Sequence, residues 1–163
     1  MIEAVIFDLD GTLVDLPIAY ETLFGECREI MHVETVRPWL DTVSKADEQT
    51  KKQVFEAWDK AEHACKERIT INEGGMQIYR KNADRPKALV TLQGKKVVDA
   101  ILERFSLTFG AVVTREDSLS RAEQLRLAAA KLRVGLEKVL FVGNTDGDAS
   151  SAQKVGCQFL MIK

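Results

Sequence analysis

Asp8 and Asp10 are the first residues of this sequence whose types and spacing could do chemistry, because they follow an apolar run and stand two positions apart. Side chains at positions i and i+2 of an extended segment point to the same side, so both carboxylates would project together. Two such carboxylates repel each other unless they share a proton or a cation. The pair therefore indicates either a site for a cation or a strand end whose aspartates only cap a loop.

Mg²⁺ is the cation that best suits this pair, because it takes oxygen ligands and often binds through one or two carboxylates plus phosphate oxygens. Gly11 follows directly and would let the backbone turn close to a ligand. Residues 4–9 are short, β-branched and aromatic, which predicts a buried strand. In open α/β sheets, ligands bind beyond the carboxyl ends of strands, where this strand would deliver Asp8.

The elements that must position these carboxylates follow an alternating pattern after residue 86. Strands and helices of suitable length alternate there, which predicts right-handed βαβ units. We expect an α/β fold with a doubly wound, Rossmann-like parallel sheet covered by helices on both faces. Strands are predicted at 4–9, 87–91, 111–114, 138–143 and 157–162, and helices at 96–105, 120–132 and 148–155.

The segment 16–72 has helical periodicity and separates the first strand from the rest. One helix is predicted to begin near Pro17, and a longer one near Ser44, whose spacing to Asp47 resembles a capping box. Gly74-Gly75 is expected to end this block. The predicted organisation is a core of residues 1–15 and 73–163 with a small helical cap at 16–72. The aromatic residues Trp39, Phe55 and Trp58 are expected to form cap core.

Composition excludes several classes of function. The net charge is −2, which gives no nucleic-acid footprint, and no apolar stretch approaches the roughly 20 residues that span a bilayer. Neither a signal peptide nor a disulfide framework is expected, since the three cysteines are odd in number and widely spaced. We therefore expect a cytoplasmic protein with no membrane partner, and the sequence indicates no oligomeric state.

Four motifs together resemble the haloacid dehalogenase-like superfamily of phosphohydrolases. They occur in the order of that superfamily along nearly the whole chain, and the ordered set is more specific than any one of them. The branch with phosphoglycolate phosphatase and β-phosphoglucomutase, which carries a small helical cap, is the most similar. The motifs are FDLDGTLVD (7–15), ALVTLQG (88–94), FGAVVTRED (109–117) and VLFVGNTDGDASSAQKVGC (139–157).

The resemblance implies phosphoryl transfer through an aspartyl-phosphate. Asp8 would be the nucleophile. Asp10 would protonate the leaving oxygen and then activate water, and its backbone carbonyl would bind Mg²⁺. Thr91 would donate its hydroxyl group to the phosphate, which Gly11 and Leu92 would also hold.

Two substitutions depart from the motifs of the family. Arg121 stands at the position of the usual lysine; it keeps the charge but has a different geometry, and it could instead be a surface residue. Asn144 replaces the first acid of the fourth motif, so the metal would depend on Asp8, Asn144 and Asp148, with Asp146 as an alternative. The same segment could also be a simple turn.

These residues predict a Mg²⁺-dependent phosphatase, a phosphoric monoester hydrolase that acts on a small phosphorylated metabolite. Two alternatives stay open. A sugar phosphomutase would use the same aspartates but return the phosphate to its substrate. A binding or regulatory protein on the same fold would have lost activity through the changes at Arg121 and Asn144.

Overall fold

The computed structural model describes all of residues 1–163. It contains seven strands and seven α-helices. The strands are β1 (Ala4–Phe7), β2 (Val14–Asp15), β3 (Thr70–Ile71), β4 (Lys87–Val90), β5 (Ala111–Val113), β6 (Val139–Gly143) and β7 (Gln158–Met161). The helices are α1 (Tyr20–Met31), α2 (Trp39–Ser44), α3 (Glu48–Ala64), α4 (Glu73–Lys81), α5 (Lys95–Arg104), α6 (Arg121–Leu132) and α7 (Asp146–Val155).

Five parallel strands form the central sheet in the order β5-β4-β1-β6-β7, which confirms the predicted α/β class. The chain runs outward from β1 to β4 and β5, and then crosses back to β6 and β7 on the other side. The direction of winding therefore changes next to β1. Such a switch point opens a crevice at the carboxyl ends of the strands, and β1 delivers the two aspartates to it.

The side chains of β1 are fully buried and alternate between two cores, as expected for a strand covered on both faces. Val5 and Phe7 face a cluster that includes residues of α5, whereas Ala4 and Ile6 face a cluster that includes residues of α6. The second cluster is rich in alanine, and small side chains let a helix approach the sheet closely. A central, rigid β1 follows from this two-sided burial.

Helices α1, α2 and α3 form a separate helical insertion (Tyr20–Ala64) between β1 and the rest of the sheet. Its members share their own core of Leu23, Cys27, Val36, Val43, Val54 and Trp58. The first helix begins at Tyr20 rather than near Pro17, and the short helix α2 was not expected. Ser44 ends α2, while Asp47 is the N-cap of α3 and accepts a hydrogen bond from the Thr50 amide at 2.7 Å.

Strands β2 and β3 form a two-stranded antiparallel ribbon that the sequence did not reveal, with Val14 opposite Ile71. The chain therefore enters and leaves the helical insertion side by side. Gly74 and Gly75 do not break a helix, as predicted, but lie in the first turn of α4. A Cβ atom on Gly75 would lie 1.7 Å from the carbonyl oxygen of Thr12, so glycine there allows α4 to pack against the loop after β1.

All three cysteines are free, and Cys27 and Cys65 are buried. None of the seven helices is long and apolar enough to cross a membrane.

Candidate active site

Asp8 and Asp10 lie where β1 ends and line the same cavity. Asp8 is buried, and its amide N–H donates a hydrogen bond to the Val142 carbonyl of β6 at 2.9 Å. Asp10 accepts a hydrogen bond from the Leu16 amide at 2.9 Å. Because the backbone holds both residues in this way, their carboxylates occupy defined positions at the switch point.

Gly11 has a φ of +78°, the left-handed conformation expected for a tight turn. A Cβ atom there would lie 2.1 Å from Nδ2 of Asn144, so a side chain would collide with the loop after β6. Thr12 donates its hydroxyl group to Oδ1 of Asn144 at 3.4 Å. Glycine therefore allows the loops that follow β1 and β6 to interlock, which brings Asn144 next to the two aspartates.

Arg121, at the first position of α6, bridges the two loops. Its Nη2 donates to Oδ1 of Asp8 and its Nε donates to Oδ1 of Asp148, both at 3.0 Å. Its side chain is only 12% exposed, so the alternative of a surface residue is wrong. Ser120 caps the helix by accepting from the Glu123 amide, although Glu123 does not return the bond that a full capping box needs.

Gln124 is a site residue that sequence reasoning missed. It is fully buried on α6, and its Oε1 accepts from Nη1 of Arg121 at 2.6 Å. Its amide group donates to the carbonyl oxygens of Thr91, Thr114 and Ser118. The only signal in the sequence was a glutamine on the apolar face of a helix, which requires buried partners.

Asp148 lies in the first turn of α7 and is buried. Its Oδ2 accepts from the amides of Asn144 and Thr145, at 3.1 and 3.3 Å, while its own amide donates to the Thr145 hydroxyl. This reciprocal capping box fixes the carboxylate towards Asp8. Asp146 is exposed and does not line the cavity, so of the two acids only Asp148 is near the other candidates.

Thr91 at the end of β4 is fully buried and does not line the cavity, whereas the next two residues, Leu92 and Gln93, do. The Thr91 hydroxyl donates to Oε1 of Gln93 at 3.0 Å and accepts from the Gln93 amide. A phosphate contact from Thr91 would thus require this hydroxyl to change its partner. Gln93 was also missed, although it is a polar residue directly after a buried strand.

The electrostatics of the site are dominated by its carboxylates. Burial raises the pKa of Asp8 to about 7; Asp148 and Asp10 raise it further, and Arg121 opposes the rise. Burial also raises the pKa of Asp10. Three carboxylates surround one guanidinium group, so the ionised site carries excess negative charge that a divalent cation would neutralise.

The donor set fits a hard cation. Asp8, Asp148 and Asn144 offer carboxylate and amide oxygens, the ligands that Mg²⁺ prefers. No three acidic, histidine or cysteine side chains converge closely enough to hold a metal alone. A Mg²⁺ ion would therefore also need backbone or substrate oxygens.

The cavity has a volume of about 800 Å³ and extends from the aspartates to the helical insertion. Its floor includes Asp8, Asp10, Arg121, Asn144 and Asp148. Its other side is formed largely by residues of the insertion and the segment before α2: Tyr20, Glu21, Phe24, Arg37, Trp39, Leu40 and Trp58. The expectation that the tryptophans only form cap core is therefore incomplete, because Trp39 and Trp58 do both.

An α/β sheet with paired aspartates at its switch point defines a class of enzymes, and comparison with known families agrees with it. Residues 5–162 match the haloacid dehalogenase-like hydrolase family. Since this match spans nearly the whole chain, the protein belongs to that family of hydrolases.

Solved structures of similar fold include three from bacteria. A hydrolase from Pseudomonas syringae is 18% identical with a TM-score of 0.72, over 97% of this chain and 82% of its own. CbbY from Rhodobacter sphaeroides, in complex with phosphate, is 17% identical with a TM-score of 0.69, over 99% and 86%. A predicted phosphatase from Clostridium acetobutylicum is 19% identical with a TM-score of 0.68, over 99% and 84%. No curated protein matches significantly.

Proposed function

We propose that this protein is a Mg²⁺-dependent phosphatase that hydrolyses a small phosphorylated metabolite through an aspartyl-phosphate on Asp8. The observation that carries the proposal is the placement of Asp8 and Asp10 at one cavity with Arg121 bonded to Asp8. The similarity to a predicted phosphatase and to a phosphate-bound protein supports it.

The proposed reaction has two steps. An oxygen of Asp8 attacks phosphorus, the ester P–O bond breaks, and the leaving oxygen takes a proton from Asp10. Water then gives a proton back to Asp10 and attacks phosphorus, which releases phosphate and restores Asp8. The raised pKa of Asp10 suits a group that must hold a proton before the first step.

Arg121 would stabilise the transferring phosphoryl group. It is the only cation within hydrogen-bonding distance of Asp8, and its contacts with Asp148 and Gln124 hold it in place. A guanidinium group can bind two phosphate oxygens at once. Preorganised charge of this kind needs no rearrangement during the reaction.

Mg²⁺ would be held by Asp8, Asn144 and Asp148 together with the backbone carbonyl of Asp10. When bound, it would offset the repulsion between the phosphate and the carboxylates. Asn144 supplies an oxygen without a charge, so we expect weaker binding than with an acid at that position.

The helical insertion would act as a cap. Its aromatic residues form one side of the cavity, opposite the aspartates, so substrate would bind between them. Such a cover excludes water from the reacting groups and allows substrate selection.

The alternative of a catalytically weakened binding protein also has a specific observation in its favour. Arg121 occupies an oxygen of both Asp8 and Asp148, and Asn144 provides no charge to draw a cation away from this ion pair. Phosphate could then bind to Arg121 without turnover.

A chromogenic phosphate ester, assayed with and without Mg²⁺, separates the two functions. We expect turnover that requires Mg²⁺ and disappears in Asp8→Asn, while Asp146→Asn, which changes an exposed acid outside the cavity, retains it. Equal turnover in Asp8→Asn and the wild type would exclude Asp8 as the nucleophile. Phosphate binding without any turnover would favour the weakened protein.

A further inference from the structure

We propose that the cavity selects phosphate monoesters whose alcohol part carries a planar heteroaromatic ring, with nucleoside 5′-monophosphates as the representative class. The inference rests on the proposed function, because the ring would bind in the same cavity as the phosphate. The size, the walls and the charge of the cavity each support it.

The size of the cavity exceeds what a short phosphorylated acid needs. Its volume of about 800 Å³ lies in the upper part of the range of roughly 300–1,000 Å³ that is typical of small-molecule sites. A phosphate with two or three carbon atoms would leave most of it to water. A ring attached through a sugar would reach from Asp8 to the helical insertion.

The wall opposite the aspartates is a continuous row of aromatic rings, here called the aromatic wall (Tyr20, Phe24, Trp39 and Trp58). Centroid distances along it are 5.6 Å, 4.9 Å and 5.2 Å. Tyr20, Phe24 and Trp39 are only partly buried, so they keep surface for a ligand. Aromatic side chains stack on heteroaromatic rings with little preference for sequence or substituents.

The charges on this side of the cavity do not favour a second anionic group. Arg37 is the only cationic residue among those that line it from the insertion side. Its guanidinium group lies over the Phe24 ring at 5.5 Å and 3.7 Å from a carboxylate oxygen of Glu21. Bisphosphates and phosphorylated acids would thus meet a cation that is already paired, next to a negative charge.

The chain offers a direct probe of ring binding, because both of its tryptophans, Trp39 and Trp58, line the cavity. Adenosine 5′-monophosphate added to metal-free Asp8→Asn protein should quench tryptophan fluorescence in a saturable way. Ribose 5-phosphate has the same sugar and phosphate but no ring, and it should not.

Turnover by the wild-type protein with Mg²⁺ provides the second measurement. Because stacking on aromatic side chains is worth roughly 1–3 kcal/mol per base, kcat/KM should be about tenfold or more higher for the nucleotide than for ribose 5-phosphate. Phosphoglycolate should be the poorest substrate of the three. Equal kcat/KM values together with unchanged fluorescence would overturn the inference.

Matched variants identify the wall as the cause. Phe24→Leu should bring the ratio of the two kcat/KM values close to one, and Trp39→Leu should act in the same direction. Phe55→Leu is the control, since Phe55 packs edge-on against Trp58 at 6.4 Å but does not line the cavity. A ratio that stays high in both wall variants, with folding verified by circular dichroism, would overturn the assignment.

The two readouts also separate this inference from the proposed function. Saturable quenching by the nucleotide without phosphate release would retain ring binding and reject the phosphatase. Mg²⁺-dependent hydrolysis of ribose 5-phosphate, with neither quenching nor preference for the nucleotide, would retain the phosphatase and reject ring binding.

Discussion

Arg121 at the start of α6 donates a 3.0 Å hydrogen bond to Asp8 at the end of β1, across 113 positions of sequence. The same guanidinium group reaches Asp148 on α7, so one side chain joins three elements of the sheet edge. An ion pair of this kind both neutralises the proposed nucleophile and defines where a phosphate would bind.

Substitution of Arg121 tests this role. We expect Arg121→Gln to lower kcat by about 100-fold or more, the range seen when one preorganised stabilising donor is removed. Arg121→Lys should lose less, because it keeps the charge near Asp8, but it cannot bond Asp8, Asp148 and Gln124 together. Steady-state kinetics at saturating Mg²⁺ would measure both, with urea unfolding to verify stability. Equal kcat in Arg121→Gln and the wild type would remove Arg121 from the reaction.

The parts of this site that follow from local sequence were predictable. Periodicity places a buried strand before Asp8, and the carboxyl edge of a parallel sheet brings Asp8, Asn144 and Asp148 to one place. Family motifs located Arg121, although they did not decide between an active-site and a surface position.

The parts that depend on distant partners were not predictable. Gln93 and Gln124 have hydrogen-bond partners that no local pattern specifies, and Thr91 turns its hydroxyl to Gln93 for the same reason. Gly75 was read as a breaker because its role, close packing against Thr12, depends on tertiary structure.

Asn144→Asp should tighten Mg²⁺ binding, because a charged oxygen replaces a neutral one beside Asp8. We expect the apparent dissociation constant to fall by about tenfold, roughly 1.4 kcal/mol. Without Mg²⁺ the added charge should lower the melting temperature, so the rise in melting temperature with Mg²⁺ should be larger than in the wild type. Thermal unfolding across a Mg²⁺ titration measures both effects.

Asp146→Asn is the matched control for this titration, since Asp146 is exposed and lies outside the cavity. It should leave the Mg²⁺ dependence unchanged. If Asn144→Asp leaves it unchanged too, Asn144 is not a metal ligand.

Asp10→Asn should separate the two proposed proton transfers. A nitrophenyl ester has a leaving group that needs no proton, so Asp8 should still be phosphorylated, whereas water activation is lost. We expect one rapid burst of nitrophenolate per enzyme and a steady-state rate lower by about 10²–10⁴-fold. An alkyl phosphate should give no burst.

Rapid mixing measures the burst, and mass spectrometry of the quenched protein should locate the phosphate on Asp8. Asp15→Asn, on the exposed residue that ends β2, is a control that should behave as the wild type. Unchanged steady-state rates with both esters in Asp10→Asn would contradict the assigned role.

A buried ion pair should fix the helical insertion to the core. Arg115, which follows β5, has a side chain that is 0% exposed, and its Nη1 donates to Oε2 of Glu62 on α3 at 2.8 Å. Glu62 also accepts from the Gly94 amide, and Arg115 bonds Asp59 as well. Burial raises the pKa of Glu62, and Arg115 opposes the rise.

Removing one partner of such a pair leaves the other charge buried without compensation, which typically costs about 3–5 kcal/mol. We expect Arg115→Met to lower the free energy of unfolding by this amount. The double variant Arg115→Met with Glu62→Gln should lose less than the sum of the two single variants, because no charge then stays unpaired. Asp59→Asn should cost less than Arg115→Met, since Glu62 still compensates Arg115. Urea unfolding of the four variants tests this, and strictly additive effects would show that the pair does not couple the insertion to the core.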